Sequence, residues 1–389
     1  MPRLRFPGFE GEWKFVPFGS IIRETNLRTN IENEDILLSA AIEGMFLNSE
    51  LFDHQRGASN KGYKKIKLRT LVLSTQNLHL GNANVNLRFE HGIVSPAYKT
   101  YEVVGCDPVL LGQWVKTGKA KKFFFDATTV GASVCRRNVE WDTLYQQQLC
   151  LPTENEQHKL ADFLSLLTDR ISSQQRLVEL LKKHKRGLHS AIFGQKCRVV
   201  NADGKPCPAW RQVRIGDIFQ ERSERGGTAD ELLSVTINNG VKRQADTDKK
   251  DSSSEDKSNY KKVLPGDIVY NTMRMWQGAS GVSPWAGIVS PAYTVIYPRG
   301  RQNTTFWAYA FKYWRLIQEF QKFSQGLTSD TWNLKYHQLS DIRVYEPSMD
   351  EQEAIVDILS ILDERVSAAE QELNKMRNLK SGLLQQLFV

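Results

Sequence analysis

The chain has 389 residues, enough for two or more domains with separate cores. Hydrophobic and charged contents of 40% and 25% are those of an ordinary globular protein, no run approaches the roughly 18 apolar residues of a membrane span, and Met1–Lys14 lacks the apolar centre of a secretory signal. Five cysteines, an odd number without a C-x-x-C pair, predict structural thiols in a reducing cytoplasm.

Gly-Ile-Val-Ser-Pro-Ala-Tyr occurs at Gly92–Tyr98 and again at Gly287–Tyr293, an offset of 195. Glu156-Gln157 returns as Glu351-Gln352, Gly187-Leu188 as Gly382-Leu383 and Phe193 as Phe388 at the same offset. Upstream the offset becomes 197: Trp13 matches Trp210, and Tyr63-Lys64-Lys65 matches Tyr260-Lys261-Lys262. A long period with divergent filling means two similar domains and not a solenoid of short repeats.

In chain order, residues 1–150 predict a mixed α/β domain with strands at Lys67–Ser74 and Ile93–Val104. A long helix follows over 151–194. Thr153 is its expected N-cap and Glu156 completes a capping box. Its apolar stripe is Leu160, Leu164, Leu167, Ile171, Val178, Leu181, Leu188 and Ile192, broken by Gln174 and Lys185. Residues 195–346 repeat the mixed pattern, with strands at Val263–Tyr270 and Ile288–Tyr297, a helix over Phe306–Phe323 and a mobile polar loop over Lys242–Lys262. A second long helix over 347–389, capped by Ser348 with Glu351, carries Ile355, Leu359, Leu362, Val366, Ala369, Leu373, Met376, Leu383 and Leu387, broken by Lys380. Four and a half heptads in each copy argue a coiled-coil seam, and each helix is the simplest partner of the other.

Net charge is +8, and the two helical segments do not supply it. Segment 151–194 has seven Lys/Arg against five Asp/Glu, and 347–389 has four against eight, so the basic excess lies in the two globular parts, where a polyanion would bind.

Signatures of catalysis fail on inspection. Gly57-x4-Gly62 is followed by Tyr63-Lys64 and not Lys-Ser/Thr, and neither HExxH nor G-x-S-x-G occurs. Ser95-Pro96-Ala97-Tyr98 is similar to the tetrapeptide of amino-methyltransferases. Its third residue is Ala, however, and no glycine-rich cofactor loop accompanies it; a strand with an edge or bulge proline and an inward Tyr is the preferred reading. No catalytic residue, metal ligand or cofactor is assigned.

What remains is a binding constellation. Lys61, Lys64, Lys65, Lys67 and Arg69 form a basic stretch, followed by Gln76, Asn77 and His79. The second copy offers Lys261, Lys262, Asn271, Arg274, Trp276 and Gln277. Nearer the domain ends lie Arg136 and Arg137, against Ser329, Thr331 and Trp332. Amides and Arg can bond base edges in pairs, while Lys supplies charge for phosphate.

With these motifs in place the chain resembles, over its whole length, the DNA-specificity (S) subunit of type I restriction-modification enzymes. The likeness rests on Pro152-Thr153-Glu154-Asn155-Glu156-Gln157 and Pro347-Ser348-Met349-Asp350-Glu351-Gln352 opening the helices. Leu166–Ile171 and Ile361–Val366 downstream, and Leu264-Pro265-Gly266-Asp267-Ile268-Val269, add to it. The first copy departs at this last place, with Arg69-Thr70-Leu71-Val72. The resemblance implies an α+β, pseudo-two-fold protein: target-recognition domains at 1–150 and 195–346, separated by a long antiparallel coiled-coil pair formed by 151–194 and 347–389. It implies a non-catalytic subunit whose two domains each read half of a split double-stranded DNA target. Two methyltransferase (M) subunits would dock, and motor-nuclease (R) subunits would join through the complex. An adenine methyltransferase acting alone, or a coiled-coil scaffold with no DNA role, stay open as alternatives.

Overall fold

The computed structural model describes residues 4–52, 59–133, 136–200, 204, 207–227, 230–237, 240–247, 256–328 and 331–388. It divides into two compact units, Met1–Arg176 with Glu370–Val389, and Leu177–Ala369. Both long helices, Glu154–Phe193 and Met349–Leu387, run from one unit into the other.

In the first unit a four-stranded antiparallel sheet places Ile22–Thr25 beside Tyr98–Val103, then Thr70–Ser74, then Ala83–Val85. Side chains alternate across a strand, and the central strand buries both faces. Leu71 and Leu73 join the main core with Leu110, Trp114 and Phe124 from the helices Pro108–Trp114 and Gly118–Asp126. Val72 faces a smaller core with Leu38, Ile66 and Val94, built from the hairpin Leu38–Ala40/Met45–Leu47 and the pair Lys64–Lys67/His91–Val94.

The second unit repeats this. Its sheet runs Phe219–Glu221, Tyr293–Pro298, Ile268–Asn271, Ser280–Val282. Ile268 and Tyr270 enter the main core with Phe306, Trp307 and Phe311, and Val269 faces the small core of Leu233, Val263 and Val289.

The repeated Glu-Gln pair has a structural task in both units. Gln157 accepts the Asp107 backbone N–H at 2.8 Å and donates to Pro152 O at 3.0 Å; Gln352 accepts from Asn303 at 3.0 Å and donates to Pro347 O at 3.1 Å. Glu156 pairs with Arg5 and Glu351 with Arg198. This corrects the expected capping boxes. The Glu351 N–H does donate to Ser348 Oγ at 3.4 Å, but both carboxylates turn to arginines on the approaching chain.

No seam residue is exposed. The outer ends of the stripes serve the domain cores: Leu160 and Leu164 join the first, and Leu188, Ile355 and Leu359 pack in the second. Between them Val178, Leu362, Leu373 and Met376 are buried, and Leu167, Ile171, Leu181, Val366 and Leu383 are half-buried. Within the first unit Lys380 Nζ donates to Thr168 Oγ1 and Arg377 to Gln175 Oε1, both at 2.7 Å, so the helices run antiparallel. Both lysine breaks in the stripe find a polar partner on the facing helix, Lys380 at Thr168 and Lys185 at Asp363.

Four expectations change. Each predicted strand is two strands joined by a turn. Arg69, at φ +68°, turns Lys64–Lys67 into Thr70–Ser74, and Gly266, at φ +89°, turns Lys261–Val263 into Ile268–Asn271. Ser-Pro-Ala-Tyr is likewise a turn: the Tyr98 N–H donates to Ser95 O at 3.1 Å and that of Tyr293 to Ser290 O at 2.9 Å. The expected helix Phe306–Phe323 is two, Thr304–Ala310 and Trp314–Phe323. The chain breaks where Lys312 leaves it to reach three backbone carbonyls. The expected loop Lys242–Lys262 begins within the strand Gly240–Arg243 and ends in Lys261–Val263; residues 248–255 lie outside the described ones.

Candidate functional site

One turn recurs in both units, fixed by the same bonds. Thr75 Oγ1 donates to Ala97 O at 2.8 Å, and Thr272 Oγ1 donates to Ala292 O at 2.8 Å. The repeated Ser-Pro-Ala-Tyr turn therefore anchors the start of a second turn, which continues as Leu78–Leu80 in one unit and Met275–Gln277 in the other. Each ends at a glycine in the left-handed region, Gly81 at φ +93° and Gly278 at φ +79°. A lysine from the neighbouring helix pair ties the hairpin lobe to the strand that follows this turn and, in the second unit, to the turn itself. Lys116 Nζ donates to Ile42 O at 2.8 Å and Ala83 O at 3.0 Å, and also to the Asn84 side chain. Lys312 Nζ donates to Ile237 O at 2.9 Å, Ser280 O at 3.0 Å and Gly278 O.

The scaffold agrees and the presented side chains differ. At the offset of 197, Gln76 stands where Met273 does, Asn77 where Arg274 does, and His79 where Trp276 does. Gln76, Asn77, Met273 and Arg274 are exposed. His79 is buried, and burial, then the charges of Arg137 and Lys121, hold its pKa below the usual histidine value; it packs rather than presents. Trp276 is half-buried, its Nε1 donating to Met273 O at 3.1 Å, with Trp332 edge-on at 5.2 Å between centroids. Asn271 accepts the Met273 N–H at 3.0 Å, and Gln277 is half-buried.

The second group of predicted residues lies beside this turn in the second unit. Thr331 is exposed and bonds Thr328 in both directions, the Leu334 N–H donates to Thr272 O at 2.9 Å, and Ser329 lies outside the described residues. In the first unit Arg137 is half-buried, bonded at 2.7 Å to both Oγ1 and O of Thr128 and stacked 4.2 Å over Phe125. Arg136 lies on the strand Arg136–Val139, paired with Thr128–Ser133.

The basic stretch is not uniformly presented. Lys61, Lys67 and Arg69 are exposed, with Lys67 Nζ 3.7 Å from Glu102. Lys64 is 5% exposed, and burial lowers its pKa. Lys65 is paired with Glu34, Lys261 with Glu221 at 3.1 Å and Lys262 with Glu224 at 3.5 Å. The reading of Lys64 as a surface cation is thereby corrected: it occupies the inward side of its strand, one residue out of phase with Lys65.

Met273 and Leu327 escaped the sequence reading, since an isolated apolar residue in a loop carries no periodic signal. They are 43% and 102% exposed.

Residues 209–377 match the family model of the type I restriction modification DNA specificity domain. No curated protein matches the chain. Among solved structures, the type I restriction-modification S subunit from M. genitalium is similar at 14% identity and a TM-score of 0.61, over 100% of this chain and 99% of that one. A chain solved in work on complex assembly and conformational transition of the type I R-M system shows 15% identity and a TM-score of 0.55, over 98% of each. The HsdS subunit from Thermoanaerobacter tengcongensis gives 16% and 0.50, over 98% and 97%. At these identities the likeness is one of fold.

Proposed function

We propose that the chain is a member of the DNA-specificity family of type I restriction-modification systems, and that the turns Gln76–Gly81 and Met273–Gly278 each read one half of a split duplex target. The chain is a DNA-recognition component and not a catalytic one. The observation that carries the reading is the pair of equivalent turns, held by the same Thr–Ala bond and the same glycine, with different side chains facing solvent. A shared scaffold with unlike presented groups is what two readers of two sequences require, because base edges differ in donors, acceptors and methyl groups.

The basic domain surfaces would hold the backbone, and base contacts would choose the register. Two methyltransferase subunits, and motor-nuclease subunits through the complex, are the expected partners; the chemistry on adenine and the cleavage belong to them. Exchanging Gln76–Gly81 for the equivalent turn of another family member, and sequencing methylated sites in a host that supplies the methyltransferase, tests the reading. One half of the target should change and the other stay. A change in both halves, or in neither, would overturn it.

A further inference from the structure

The two turns differ in chemistry as well as in sequence. The first presents amides. The second presents Met273, and the neighbouring loop presents Leu327; the two loops are joined by the Trp276–Trp332 edge contact and by the Leu334 N–H on Thr272 O. Both loops are locally braced. The Trp276 indole N–H is spent on Met273 O, so the ring props the turn rather than swinging free. Gly326, at φ +148°, lies so close to Thr331 O that a Cβ would sit 2.6 Å away, so the loop closes tightly just before the exposed Leu327. A lone exposed leucine needs no explanation. An exposed Met and an exposed Leu on two loops joined at the Trp276–Trp332 contact, with the exposed Arg274 next to Met273 in sequence, put apolar side chains and a cation on neighbouring loops.

We infer that the second domain adds to base contact by Arg274 an apolar contact between Met273 and Leu327 and the 5-methyl groups of thymines in the major groove, whereas the first reads its half by hydrogen bonds alone. The inference rests on the proposed role of the two turns and names the base chemistry one of them takes. Thymine alone offers a methyl group in the major groove, and the adjacent Arg274 supplies the charge that a duplex, unlike an apolar protein partner, would demand. The second half-site therefore contains at least one T·A pair whose methyl is contacted.

Uracil in place of thymine removes that methyl and nothing else. With the full chain bound to its methyltransferase partner, uracil in the second half-site should weaken binding roughly three- to fivefold per contacted thymine, the value of about one buried methyl. Uracil in the first half-site should leave binding unchanged. In Met273→Ala or Leu327→Ala, with unfolding temperature preserved, the uracil penalty should disappear for the thymine that side chain touches. A second half-site without T·A pairs, a penalty that survives in both variants, or insensitivity to uracil would overturn the inference; insensitivity together with a new DNA kink would instead make these side chains an intercalating wedge. If base-pair changes in that half-site and Arg274→Ala are also without effect, the reading role of the turn itself fails. If those changes matter and uracil does not, only the methyl assignment fails.

Discussion

Lys312 Nζ donates to Ile237 O at 2.9 Å and so fastens the end of the hairpin Leu233–Thr236/Gly240–Arg243 to the turn that closes at Gly278. One ammonium thereby links a lobe to a candidate reading turn, while in the first unit Lys116 links the lobe, at Ile42, to the strand that follows the turn, at Ala83.

Burial lowers the pKa of Lys312 to about 8 from 10.5. The folded state therefore holds this proton less tightly than the unfolded chain. The cost of the buried charge is fully present below pH 8 and lifts as pH rises from about 8 towards 10.5. Relative to Lys312→Met, the wild-type chain should gain stability over that window, by up to about 3 kcal/mol. Paired thermal melts at pH 7 and pH 10 check this; a difference that stays constant or shrinks would contradict it.

Glu351 is fully buried and meets Arg198 Nε and a terminal nitrogen at 2.9 Å each. Arg198→Met should destabilise the second unit by about 2–3 kcal/mol, because the carboxylate is left inside without its cation. Adding Glu351→Met should recover part of the loss. Denaturant titrations of both variants measure it, and equal losses in the single and the double would remove the pair as the cause.

Lys64 and Lys67 share a strand and face opposite ways. Lys67→Ala and Lys61→Ala should weaken cognate and random duplexes alike and reduce the slope of log affinity against log salt by about 0.9 for each phosphate no longer neutralised. Lys64→Ala should leave that slope intact and lower the unfolding temperature. Fluorescence anisotropy over a salt series, beside a melt, separates the two; a flattened slope in Lys64→Ala would return that residue to the surface role.

Gln76→Ala and Asn77→Ala should relax discrimination in one half-site and Arg274→Ala in the other, by about 1–3 kcal/mol for a bidentate base contact. Competition binding with targets altered in one half at a time gives the measurement. Uniform weakening on all targets would make these residues backbone contacts.

The duplication, the two long helices and the mixed α/β character of each half were legible in the sequence, because repeats and a sustained 3.5-residue period are local patterns that survive without knowledge of contacts. Glu156-Gln157 was visible as a repeat, but its use was not: the carboxylate meets Arg5 and the amide meets Asp107, partners 151 and 50 residues away. A capping box was the best local reading, and a distant arginine displaced it.

The candidate site was half legible. Composition pointed to the two stretches holding Gln76-Asn77 and Arg274, since amides and Arg near lysines are a surface signature. Which of them face out was settled by tertiary structure. Lys64 and His79 are buried, Lys261 is spent on Glu221, and Leu327, beside the tightly closed Gly326, is fully exposed. Sequence determines the alternation of a strand and the period of a helix. The side of each that meets solvent depends on what the rest of the chain lays against it.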